Sequence, residues 1–177
     1  ADWVLYLDAD ERLNENVIAE VKRIVVSGVM DAQYAFTRKS GAFGKIFSYG
    51  VLYPDQVCRL FPRKAVVWVN KVHEHPECKL PEKHLSGYVT HYTYKDWYEW
   101  EGKLCLYTTI WAEDAYKKGK RTTMAGIFQH SVGAFFKMFV LRRGFLDGGL
   151  GIYLCFAHGF YTMLKYLKLY DLQNKRK

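Results

Sequence analysis

Asp8 and Asp10 stand two residues apart at the end of an apolar run, Trp3–Leu7. If that run is a buried strand, both carboxylates leave it on the same side. Paired carboxylate oxygens are hard ligands of the kind that suit Mg²⁺ or Mn²⁺. The spacing alone equally describes a solvated turn, Asp8-Ala9-Asp10-Glu11. Two carboxylates are also the equipment of a glycoside hydrolase, but that chemistry gives no role to the basic, aromatic last third of the chain.

Further candidates follow downstream. Glu74 lies between His73 and His75, His91 sits in a tyrosine-rich segment, and Arg59 opens the run Arg59-Leu-Phe-Pro-Arg63. Each also has an ordinary reading: a strand-end acid, a satisfied half-buried histidine, and a structural ion pair. His73, His75, Cys78, His84 and His91 gather nitrogen and sulfur within nineteen residues. Their spacing matches no paired-ligand zinc knuckle.

Taken in order, Trp3-Val-Leu-Tyr-Leu-Asp-Ala-Asp-Glu-Arg12, Arg59-Leu-Phe-Pro-Arg63, Val72-His-Glu74 and Val89-Thr-His-Tyr92 resemble the motifs of inverting family 2 glycosyltransferases with the GT-A fold. The branch is that of the lipopolysaccharide-core glucosyltransferases. The tail, from Gly148-Gly-Leu-Gly151 through Gly159-Phe-Tyr-Thr to Lys165-Tyr-Leu-Lys-Leu-Tyr170, resembles the same branch. The resemblance implies that Asp8 and Asp10 serve the nucleotide-sugar and its metal, with Asp10 closer to the ion. It implies that Glu74 is the acceptor's general base, that His91 is a late metal ligand, and that Arg59 lies near the diphosphate or acceptor. It also implies that strands binding the nucleotide base precede the Asp8–Asp10 segment, so an amino-terminal part is expected to be missing and the fragment alone to be weak or inactive.

The elements that must hold these residues read as α/β. Trp3–Leu7 predicts a strand. Asn14 predicts the N-cap, and Gly28 the end, of a helix with Val17, Ile18, Val21, Ile24 and Val25 on one face. Strands are expected over 34–38, 57–61, 65–69 and 88–92, with residues 40–56 a long loop. A helix capped by a box of Asp96 and Glu99 is expected to carry Trp97, Trp100, Leu104, Trp111 and Ala115 on one side and to end at Gly119. The expected architecture is a partial GT-A mixed sheet with helices over 1–119, followed by a helical tail over 120–177.

Half the residues are hydrophobic and a quarter charged, which excludes both a disordered chain and an integral membrane bundle. Four scattered cysteines without a CxxC pair read as reduced, buried residues of a cytosolic protein. The net charge of +8 is confined to the second part. Residues 1–100 hold thirteen Lys/Arg and thirteen Asp/Glu, residues 101–177 thirteen and five. Because these cations interrupt long aromatic and aliphatic stretches, they suit an anionic membrane surface and a lipid-linked acceptor rather than nucleic acid. The uncharged run Gly148–Leu164, seventeen residues long, is at the lower bound for crossing a bilayer.

The expected function is transfer of a sugar from a nucleotide-sugar donor to a cell-envelope glycan or glycolipid acceptor. The expected location is the inner face of the cell membrane, held peripherally. The competing expectation is a noncatalytic membrane-interface module on a degenerate glycosyltransferase scaffold.

Overall fold

A computed structural model describes residues 1–69 and 75–175. The chain forms two compact units: residues Ala1–Gly41 with Pro54–Thr93, and Ala42–Tyr53 with the chain from Tyr94 onward.

The first unit is a sheet with one helix against it. Its strands are β1 (Trp3–Leu5), β2 (Glu11–Leu13), β3 (Gln33–Ala42), β5 (Asp55–Pro62) and β8 (Glu82–Tyr94), with β4 (Lys45–Ile46) in the segment assigned to the second unit. They lie in the order β1-β5-β3-β8-β2. Pairing is antiparallel for β1 with β5, β3 with β5 and β2 with β8. Helix α1 (Glu15–Ser27) starts where Asn14 accepts the Val17 N–H at 3.0 Å and ends at Gly28, whose φ of 69° is left-handed, as the sequence predicts. Its Val17, Val21 and Ile24 pack on Tyr34, Phe36, Leu60 and Val89. Gly87 on β8 passes so close to the helix start that a Cβ there would meet Val17 Cγ2 at 2.4 Å. A separate ribbon, β6 (Val66–Val69) with β7 (His75–Cys78), is also antiparallel.

This topology dictates the site. Strands β1 and β2 are the two edges of the sheet, yet only residues 6–10 connect them. Four inter-strand spacings are about 19 Å, and six Cα steps reach about 20 Å when fully extended. Because the Glu11 N–H turns back to the Asp8 carbonyl, the link is shorter than that. The sheet must curl, and the segment with Asp8 and Asp10 must cross the ends of the inner strands.

The second unit is helical. Helix α2 (Trp97–Lys117) is capped by Asp96, which accepts from the Glu99 N–H at 2.8 Å, while Glu99 accepts from the Lys95 N–H. Helix α3 (Met124–Phe136) runs into a π-helical turn at Lys137–Leu141, and α4 (Gly148–Lys175) follows a short 3-10 turn. Buried Ala112, Ala115, Ile127, Tyr166 and Leu169 form its core. Compactness thus groups α2 with α3 and α4. Residues 42–53 are not free loop: buried Asp147 accepts the Ser48 and Tyr49 N–H groups at 3.1 and 2.7 Å, and Phe43 stacks on Trp97 at 3.8 Å.

Trp97 is exposed, and the buried line of α2 is Thr108, Ala112 and Ala115. Thr108 is buried because its hydroxyl donates to the Leu104 carbonyl and accepts from Lys168. One expectation, that the four cysteines are core residues, needs correction: only Cys155 is buried, and Cys105 is exposed. The run Gly148–Leu164 is pinned by buried Gly151, Leu154, Cys155, Gly159 and Thr162. Among the described residues, the stretch long and apolar enough to cross a membrane is Met124–Leu141, almost none of which is buried.

Candidate functional site

As the segment carrying Asp8 and Asp10 crosses the sheet, it meets one polar residue from each inner strand. Arg59 on β5 places Nη2 2.5 Å from Asp8 Oδ2 and 2.5 Å from Glu11 Oε1. Arg38 on β3 lies 3.7 Å from the same Glu11 oxygen and makes a two-point pair with Asp55 at 3.0 and 2.7 Å. His91 on β8 places Nε2 3.1 Å from Asp10 Oδ2. The register puts it there, since Glu11 pairs with His91 across β2 and β8, and the Tyr92 N–H donates to the Asp10 carbonyl.

The two aspartates therefore have different partners. Asp8 is tied to a guanidinium, and Asp10 to an imidazole. Thr93 Oγ1 lies 3.3 Å from the other ring nitrogen, Nδ1. With hydrogen on Nδ1 that atom donates to Thr93 and Nε2 offers a lone pair, the form a metal requires; with hydrogen on Nε2 it donates to Asp10.

Glu11 is the residue that sequence reasoning missed. Its side chain is wholly buried and forms the centre of the arrangement, accepting from Arg59 and, at 3.3 Å, from the Asp8 N–H. A buried carboxylate is stable only when paired and hydrogen-bonded, and two arginines provide that. The available signal was a glutamate directly after the Asp8–Asp10 pair, entering a strand in which alternation makes it face inward. Arg38, just beyond the apolar stretch Tyr34–Phe36 of β3, was the matching signal.

The carboxylates of Asp8, Glu11 and Asp55 face the guanidiniums of Arg38 and Arg59, Asp10 faces His91, and the Arg12 guanidinium donates to the Ala9 and Glu11 carbonyls of the same segment. Four carboxylates against three guanidiniums leave one negative charge in excess, and Asp10, paired only with a histidine, is the natural place for a cation to reduce it. Among the described residues no group of three or more His, Cys, Asp or Glu converges on one point. One carboxylate and one imidazole nevertheless fit an ion such as Mg²⁺ or Mn²⁺, which commonly completes its shell with water and substrate oxygens.

Other predicted residues fall elsewhere. Glu74 and His73 lie outside the described residues. His75 is 3.7 Å from Glu77, and His84 is 3.3 Å from Glu82. Burial and the adjacent Glu82, to which the Cys58 thiol donates at 3.0 Å, push the Cys58 pKa up to about 12 and favour the thiol over the thiolate.

The fold is a mixed α/β sheet compatible with part of a GT-A domain, followed by helices. No family model matches the chain. Its similarity is to Rickettsia proteins described as uncharacterized glycosyltransferases. That of R. prowazekii is 25% identical over 190 residues, covering 98% of this chain and 64% of the relative. Those of R. typhi and R. bellii are 24% and 26% identical, over 98% and 97% of this chain and 64% and 62% of theirs. The chain thus spans less than two thirds of the length of these relatives.

Proposed function

We propose that the chain is the ion-holding and acceptor-side part of an inverting glycosyltransferase. Its donor is a nucleotide-sugar, and its acceptor is a cell-envelope glycan or glycolipid of the lipopolysaccharide-core kind. The observation that supports this best is the 3.1 Å approach of His91 to Asp10, beside an Asp8 held separately by Arg59, within a set of charges that is negative overall.

Asp10 and His91 would hold Mg²⁺ or Mn²⁺, with Asp8 on the nucleotide-sugar side. When bound, such an ion neutralises charge gathering on the departing diphosphate. Arg59 keeps the Asp8 backbone and carboxylate in place through Glu11 and lends positive charge on the diphosphate side. Glu74 accepts the proton of the attacking hydroxyl. The acceptor oxygen bonds to the anomeric carbon as the bond from that carbon to the diphosphate oxygen breaks, which inverts the centre in one displacement. The protein works at the cytoplasmic face of the membrane, held peripherally by the apolar surface of α3 and the cations Lys137, Arg142 and Arg143.

Calorimetric titration with Mn²⁺ tests the ion site. Asp10→Asn and His91→Ala should each weaken Mn²⁺ binding at least tenfold, and Asp8→Asn less. Equal affinity in all three variants and the parent would remove the ion from this position.

A further inference from the structure

A groove between α2 and α4 takes no part in the chemistry above. Its inner end is a cavity of about 140 Å³ whose polar lining comes from Tyr94, Lys103, Tyr107, His158 and Tyr161. Through Trp100, Leu104 and Ala157, which line both parts, it continues into an open trough of about 460 Å³ walled by Phe156 and Phe160. The groove is therefore amphipathic along its length, mostly apolar outside, with Glu101 at its rim, and bearing tyrosine hydroxyls, the Lys103 ammonium and the His158 imidazole within.

We propose that this groove binds a single hydrocarbon chain of an anionic lipid, with the chain in the Phe156–Phe160 trough and its charged head at Lys103 and His158. The inner cavity is too small to admit a helix, which is about 10 Å across, so it takes only a small head group such as a phosphate. Phe156 and Phe160 leave 61% and 48% of their surface exposed, a cost to the free protein that an alkyl chain removes. Phe156 also packs on Phe135 at 4.6 Å, and Phe135 on Phe136 and Phe139 at 5.4 and 5.3 Å. The trough thus joins the exposed apolar surface of Phe136, Val140 and Leu141, beside the exposed cations Arg142 and Arg143. A lipid whose head enters the groove leaves its chain end directed toward the bilayer.

The head end is suited to an anion. Lys103 is paired with Glu99 at 2.6 Å, but Lys137 and Lys165 add positive potential at His158 and, after burial, help hold its pKa below the ordinary value. Lys165 itself lies over the Trp111 and Tyr161 rings. On the glycosyltransferase reading this lipid is the acceptor. The binding itself does not depend on that reading.

The test is calorimetric titration of the whole chain with dodecyl phosphate below its micellar concentration. Dodecyl maltoside serves as the neutral-head control and butyl phosphate as the short-chain control. We expect saturable one-to-one binding of dodecyl phosphate, weaker binding of dodecyl maltoside and none of butyl phosphate. Ala157→Phe, which fills the groove, should weaken dodecyl phosphate at least tenfold while leaving sedimentation with anionic vesicles unchanged. Phe160→Asp, at the exposed rim, should do the same if Ala157→Phe fails to fold. Unsaturable binding, binding indifferent to a folded groove variant, or no binding of either dodecyl probe would overturn the proposal. So would a dimer of the chain abolished by Phe160→Asp in the absence of dodecyl binding, which would make a second copy the occupant. Loss of Mn²⁺ binding in Asp10→Asn with dodecyl binding intact would separate failure of one site from failure of the other.

Discussion

Glu11 Oε1 and Arg59 Nη2 lie 2.5 Å apart with the glutamate side chain fully buried, and Arg38 stands 3.7 Å from the same oxygen. This is the interaction that fixes the crossing segment to the sheet. Removing one partner of a buried ion pair leaves the other charge desolvated, a loss of about 3 to 5 kcal/mol. Glu11→Ala should therefore lower the unfolding free energy by about 3 kcal/mol or more. Asp8→Ala, whose carboxylate is 56% exposed, should cost less than about 1 kcal/mol. Urea denaturation of both variants decides this, and equal losses would show that Glu11 is not the anchor.

Gly87 should tolerate no side chain. A Cβ there would fall 2.4 Å from Val17 Cγ2 and 2.8 Å from the Val17 backbone nitrogen, and the helix start cannot yield without losing the Asn14 cap. Gly87→Ala should cost about 1 to 3 kcal/mol as an overpacking substitution. Gly102→Ala, with nothing within 4 Å, should be neutral or stabilising in a helix interior. Thermal denaturation of the pair provides the comparison.

The basic residues of the helical unit divide into two groups. Lys168 donates to the Cys105 carbonyl and to the Thr108 and Thr109 hydroxyls at 2.8 to 3.0 Å, so it joins α4 to α2. Arg142 and Arg143 are exposed. We therefore expect Arg142→Gln with Arg143→Gln to reduce sedimentation with anionic vesicles at low salt, each cation contributing about 1 kcal/mol. Lys168→Met should instead lower thermal stability and leave sedimentation intact. The reverse pattern would assign the membrane contact to α4.

The local signals in the sequence were strong where one element decides its own shape. Asn14, Gly28, Asp96 and Glu99 mark helix ends through their own backbone bonds, and the structure has those ends. The approach of Asp10 to His91 was legible only through the resemblance, because 81 residues separate them and no local period records a sheet register. Glu11 escaped notice because a charged residue beside a polar turn looks solvated until the strand order is known. The segment 42–53 read as loop for the same reason: Asp147, about a hundred residues away, orders it.

Glu74 stands as the proposed base through the motif Val72-His-Glu74. In the whole protein, Glu74→Gln should lower turnover by about 10² to 10⁴-fold, the usual range for loss of a general base, with donor affinity nearly unchanged. Steady-state kinetics with donor binding measured separately would show it. Near-normal turnover would move the role to Asp55 or Glu77.

Sugar transfer by the whole protein is proposed to depend on an ion held at Asp10. The most direct measurement is release of nucleoside diphosphate by the whole protein from a panel of uridine, guanosine and thymidine diphosphate sugars, with Mn²⁺, with chelator, and in Asp10→Asn. Release is expected from at least one donor, stimulated by Mn²⁺, abolished by chelator and reduced at least a hundredfold in Asp10→Asn. Absence of release from every donor, or release indifferent to both chelator and Asp10→Asn, would contradict it.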